Sequence, residues 1–213
     1  MTNRRSRVTE APAFVLHCTP WRETSLVARV FARDYGIVTV VAKGAKRPYS
    51  GLRSVLMAFQ PLLLSWSGMA DTKTLIQAEV ASIHRMPGPA LMSCWYMNEL
   101  LLKLLPAEDP HPVLFDAYAQ ALGQLVEGCV PAATLRQFEW CLLRETGYGV
   151  DGPMPDAWDG ETGSDLKGLF RDRLLAQIPG GRLVSRQVLL SLVRTIEANP
   201  GSIALSQPEP PAQ

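Results

Sequence analysis

Residues 24–43 read TSLVARVFARDYGIVTVVAK, and the fold is decided there. Leu26, Ala28 and Val30 fall on one side of an alternating run, with Val27, Arg29, Phe31 and Arg33 on the other. Asp34-Tyr35-Gly36 interrupts the run with residues suited to a tight turn, and β-branched side chains then resume. Period-two patterning on both sides of a short turn reads as a hairpin. Working outward, the same pattern predicts five strands, at 13–18, 24–33, 36–43, 59–67 and 72–81. In the last, Thr74, Ile76, Ala78 and Val80 oppose Lys73, Leu75, Gln77 and Glu79. Thr19-Pro20 and the stretch 67–71 supply further turn chemistry.

Five short strands, with a long connection between the third and fourth, fit a small partly open barrel of the OB type. Beyond His84 the apolar period becomes helical, after a break at residues 86–89 (MPGP). Helices are expected at 90–105, 112–127, 131–146, 166–177 and 185–198. Pro131 suits a first helical turn and Gly147 a stop. Residues 149–165 read as a polar loop, and the end of the chain, QPEPPAQ, as disordered. The expected class is α+β: an OB-fold barrel with a basic arm (Arg4, Arg5, Arg7) in residues 1–82, then an all-helical domain in 83–205 and a tail in 206–213.

Composition narrows the functional classes. In 213 residues, 21 Lys and Arg stand against 20 Asp and Glu, and 47% of the chain is apolar. That is too apolar for wholesale disorder. No apolar run is long enough to cross a bilayer, so no membrane partner is expected. The basic start lacks a secretory h-region, which makes the cytoplasm the expected compartment. Cys18, Cys94, Cys129 and Cys141 form no Cys-x-x-Cys pair, and His17, His84 and His111 fall at no ligand spacing. No metal or other cofactor is expected, and the cysteines read as buried, reduced thiols.

An enzyme reading finds little to hold. There is no G-x-x-x-x-G-K-[ST] loop and no Gly-x-Ser-x-Gly element. The carboxylates Asp151, Asp156, Asp159, Glu161 and Asp165 miss the calcium-loop spacing. Charge distribution says more. Residues 1–80 carry eleven basic and five acidic side chains, while residues 81–213 carry ten and fifteen. No acid lies between Asp34 and Asp71, a gap that holds Lys43, Lys46, Arg47 and Arg53. Unopposed cations create a field that attracts polyanions. Trp21, Tyr35, Tyr49 and Trp66 lie in or beside the barrel, where an exposed ring could stack on a base, and Tyr49, inside the same connection, is the better candidate. Trp66 keeps period with Leu62 and Leu64 and reads as core. An RNA- or ribosome-associated adaptor would use the same groove physics and stands as the alternative.

The order of short motifs resembles the RecO family of bacterial recombination mediators. In the first half these are Trp21-Arg22-Glu23-Thr24-Ser25-Leu26, Val41-Ala42-Lys43-Gly44-Ala45-Lys46-Arg47, Phe59-Gln60-Pro61-Leu62-Leu63-Leu64 and Lys73-Thr74-Leu75. In the second they are Tyr96-Met97-Asn98-Glu99-Leu100-Leu101, Leu135-Arg136-Gln137-Phe138-Glu139 and Gly147-Tyr148-Gly149. The resemblance implies a non-catalytic, nucleoid-associated protein that binds single- and double-stranded DNA and anneals complementary strands. With the partner RecR it would help load the recombinase RecA onto DNA coated by the single-stranded DNA-binding protein SSB. Many relatives carry a four-cysteine zinc module after the Gly-Tyr-Gly element; no cysteine follows Gly149 here, so that module is expected to be absent.

The resemblance also points to a protein contact on the 131–146 helix. Leu135, Phe138 and Leu142 form its expected core stripe, and Arg136, Trp140 and Leu143 an adjacent one. A cation beside apolar surface suits the acidic, aromatic-ended C-terminal tail of SSB. The competing role for Arg136 is an intrahelical pair with Glu139, three residues on.

Overall fold

A computed structural model describes residues 7–149 and 160–185, with 187, 188 and 191. Five strands, β1 (Arg7–Trp21), β2 (Ser25–Ala32), β3 (Gly36–Ala42), β4 (Pro61–Ser67) and β5 (Thr72–Val80), close a barrel in the order β1-β2-β3-β5-β4. All neighbours pair antiparallel except β3 with β5. The expected OB-like barrel followed by helices is what the chain forms.

The first strand is longer than its apolar pattern predicts. It pairs with β4 through its first half and with β2 through its second, and its register shifts between Val8 and Ala11 and between Val15 and His17. Pro12 and Pro20 sit inside it, opposite Leu63 and Leu26. Proline lacks a donor but keeps its carbonyl, and that of Pro12 accepts from the Arg33 amide at 3.0 Å. Thr19-Pro20 is therefore strand, and the turn falls at residues 22–24, which corrects the expectation.

Barrel interior and barrel wall have different apolar sets. Ala13, Val15, Ala28, Val30, Val38, Val40, Leu62, Leu64 and Trp66 fill the interior. Phe14, Leu16, Phe31, Ile37 and Phe59 belong instead to the cluster shared with the helices. That is why Phe31, on the more polar side of the alternation in β2, is fully buried.

The long connection between β3 and β4 contains a short helix that was not foreseen, α1 (Leu52–Val55). The later helices are α2 (Leu91–Leu104), α3 (Pro112–Val126), α4 (Pro131–Glu145) and α5 (Gly160–Gln177). Because α5 starts at Gly160, the last part of the expected 149–165 loop is helical. Of the expected 185–198 helix, residues 185, 187, 188 and 191 are described and helical; the remainder lies outside the described residues, as do residues 1–6 of the basic arm and the 206–213 tail. Among the described residues no helix is long and apolar enough to cross a membrane.

Helices and barrel share one apolar mass, so packing crosses the boundary expected at residue 82. Phe14 meets Phe115 at 5.4 Å and Tyr118 at 5.2 Å between ring centroids. Polar ties fix the register of this contact. Leu16 lies at the β1 register shift, and its carbonyl accepts from Asn98 Nδ2 at 3.0 Å. The Tyr118 hydroxyl donates to Asn98 Oδ1 at 2.6 Å, and burial pushes that phenol well above its usual value. Lys73, on β5, donates to the Glu108 carboxylate and to the Ala70 carbonyl, both at 2.8 Å. At Gly36 the backbone of Asp109 approaches so closely that a Cβ would sit 2.1 Å from its carbonyl oxygen, and the φ there is +68°. Glycine is required at that point.

Candidate nucleic-acid interface

The connection from Lys43 to Phe59 is held onto the barrel by its apolar residues. Ala45 and Leu56 are buried with the barrel interior, and Leu52 and Val55 pack against it. Successive turns tighten the intervening backbone: Ala45 N to Ala42 O at 3.4 Å, Arg47 N to Gly44 O at 3.0 Å, Ser50 N to Arg47 O at 3.1 Å. With the apolar members turned inward, the cations are left on the outer side of the connection. Lys43, Lys46, Arg47 and Arg53 are all exposed. Among the described residues none of the four has a carboxylate within salt-bridge distance, in contrast to Arg33, Lys73, Lys103, Arg136 and Arg171.

The same turn is tied to a neighbour outside the acid-free window. The Lys46 amide donates to the Thr24 carbonyl at 2.9 Å, and Lys46 Nζ to the Arg22 carbonyl at 3.4 Å. The β1–β2 turn is thereby joined to the basic connection, adding exposed Arg22 and half-exposed Trp21 to the cationic surface. The clue was present in Trp21-Arg22, but reading Thr19-Pro20 as the turn put both past the end of the strand. Tyr49 stands fully out in solvent at the tip of the connection, with a φ of +67°. Trp66 is core, 2% exposed, with Tyr35 packed edge-on at 5.2 Å.

The three residues expected on α4 have different fates. Arg136 pairs with the fully buried carboxylate of Glu139, which also accepts from the Tyr96 hydroxyl at 2.7 Å. Trp140 is partly exposed, and the Arg144 guanidinium lies 5.1 Å from its ring centroid. Leu143 is 1% exposed and belongs to the core. The three do not form one open surface. Beside Trp140 runs a shallow groove of about 160 Å³, between Gln120, Ala121 and Gln124 of α3 and Gln137 and Cys141 of α4.

Burial pushes the Cys94 thiol up to about 12, and burial with Glu145 nearby pushes Cys141 up to about 11. Cys129 is exposed, which corrects its expected burial. Among the described residues no group of three or more His, Cys, Asp or Glu side chains is placed to hold a metal ion.

Comparison with known proteins agrees on both halves. The family model described as Recombination protein O N terminal matches residues 6–84, and that described as Recombination protein O C terminal matches residues 88–152. A curated protein of Aromatoleum aromaticum, named DNA repair protein RecO, is 56% identical over 149 residues, 70% of this chain and 62% of its own length. Proteins with the same name from Azoarcus and Ralstonia nicotianae are 52% and 54% identical over 148 and 145 residues, covering 61% and 53% of their lengths. The chain thus spans between about half and three fifths of the curated relatives it matches.

Proposed function

The chain belongs to the RecO family of DNA repair proteins, and from that membership we propose that its barrel grips the sugar–phosphate backbone of DNA through the cationic connection. The observation that carries the reading is a set of exposed cations, Lys43, Lys46, Arg47 and Arg53, with no acid within salt-bridge range among the described residues and an anchored backbone beneath them. Each such cation near a phosphate releases condensed counterions, so affinity rises with their number and falls with salt. Contacts to phosphate position a strand without reading its bases. Single and double strands are both acceptable ligands, and Tyr49 offers a ring within the same loop.

Gripping two strands without sequence preference leaves their bases free to find one another, which is the physical basis of annealing. No catalytic step is needed. In this reading the protein works with RecR to help RecA onto SSB-coated single strands. The acidic tail of SSB meets the α4 face bearing Arg136 and Trp140, above the buried Leu143. Because Arg136 is engaged with Glu139, the tail carboxylate has to share that guanidinium or use Arg144 over the Trp140 ring.

The direct test is annealing of complementary oligonucleotides, bare and SSB-coated, by the parent and by a Lys43→Gln/Lys46→Gln/Arg47→Gln variant. Loss of annealing in the variant supports the assignment, and undiminished annealing rejects it. Matched RNA oligonucleotides, if bound more tightly than DNA, would favour an RNA adaptor instead.

A further inference from the structure

An electrostatic grip accepts unpaired and paired strands, yet an open ring beside it distinguishes them. Three exposed aromatic rings lie in the barrel half near its turns. Tyr35 is occupied by Trp66. Tyr49 projects wholly into solvent from a left-handed backbone, and among the described residues no ring or cation packs on it. Trp21 differs from both. It ends β1 in register with Ser25, so its backbone is fixed by the sheet, and half of its surface is open. The Arg22 guanidinium stands 6.0 Å from its ring centroid. Arg22 itself has a φ of +52°, a conformation that side chains with a Cβ avoid. Its carbonyl is the one that accepts from Lys46 Nζ, and the next carbonyl but one accepts from the Lys46 amide.

We infer that Trp21 is the base-stacking platform of the cationic surface and gives it a preference for unpaired nucleotides over duplex. The inference rests on the nucleic-acid reading of Lys43, Lys46 and Arg47 and goes beyond it. A base can lie on an indole only when it is out of its own stack, so a duplex gains nothing from the ring. The strand end fixes the Trp21 backbone, and the Lys46 tether joins the turn after it to the connection whose cations receive the flanking phosphates. A ring carried on backbone fixed before binding loses less freedom on binding than one on a solvent-exposed tip.

The test compares full-length Trp21→Ala and Trp21→Phe with the parent on an oligothymidylate and on a duplex of equal length, across a salt series. Trp21→Ala should weaken oligothymidylate binding about ten- to a hundred-fold. Duplex affinity, salt slopes and the thermal midpoint should stay close to the parent's, and Trp21→Phe should recover most of the loss. Equal losses on both probes, or no loss on the single strand, would overturn the stacking role. The nucleic-acid reading fails separately: there the Lys43→Gln/Lys46→Gln/Arg47→Gln variant keeps the parent's affinity and salt slope on both probes.

Discussion

Arg136 and Glu139 show how one buried carboxylate reorganises a helix face. Glu139 is fully buried and is held by Arg136 and Tyr96. Its spacing from Arg136 is legible in the sequence, but its burial is not, because acids are almost never fully enclosed without a partner. Arg136→Ala should lower stability by about 3 kcal/mol in urea unfolding, since breaking a buried pair strands the remaining charge. Loss of SSB-tail binding in that variant therefore needs its unfolding midpoint measured alongside. Glu99 gives a pH dependence. Burial acts to raise its carboxyl, but bonds from the Ser185 hydroxyl, the Ser185 and Val184 amides and Lys103 outweigh burial and hold it below its ordinary value. A depressed value in the folded state means that folding disfavours the proton. The stabilisation is complete above the unfolded value and drains away as pH falls through the folded one. Asp116, lowered by its bonds from Arg33, behaves in the same sense. Glu99→Gln should flatten the acid limb of a stability–pH curve, and a limb as steep as the parent's would contradict this linkage.

At the scale of elements, strand and helix types were readable from periodicity, and the errors have local causes. The alternation predicts six residues for β1, which runs to fifteen, because Pro12 and Pro20 look like breaks although the barrel uses their positions without needing their donors. The start of α5 at Gly160 was hidden by the glycines and acids of 160–165, which favour loops in isolation. The β1 register shift was invisible too, and with it the reason for a buried asparagine on α2. Asn98 satisfies the Leu16 carbonyl and receives the Tyr118 hydroxyl. Asn98→Ala leaves both groups without that partner and should cost about 2 kcal/mol or more by denaturant titration. Gly36→Ala meets the Asp109 backbone and should destabilise more than an alanine placed at Gly123, which has open space around it.

Over the whole molecule, the charge split along the sequence becomes a cationic surface on the barrel. The acid-free window was legible because absence of Asp and Glu is a plain count. Folding turns it into a surface by burying Ala45 and Leu56 and packing Leu52 and Val55 against the barrel. Trp21 and Arg22 were not legible as part of it, since only the Lys46 contacts bring the β1–β2 turn alongside. The remaining question is whether this surface binds by counterion release. The most direct measurement is the dependence of oligonucleotide affinity on salt, compared between the parent and Lys43→Gln/Lys46→Gln/Arg47→Gln. Removing three phosphate contacts should make the log–log slope shallower by about 2 on a single strand. A slope and affinity unchanged from the parent's would contradict the cationic grip.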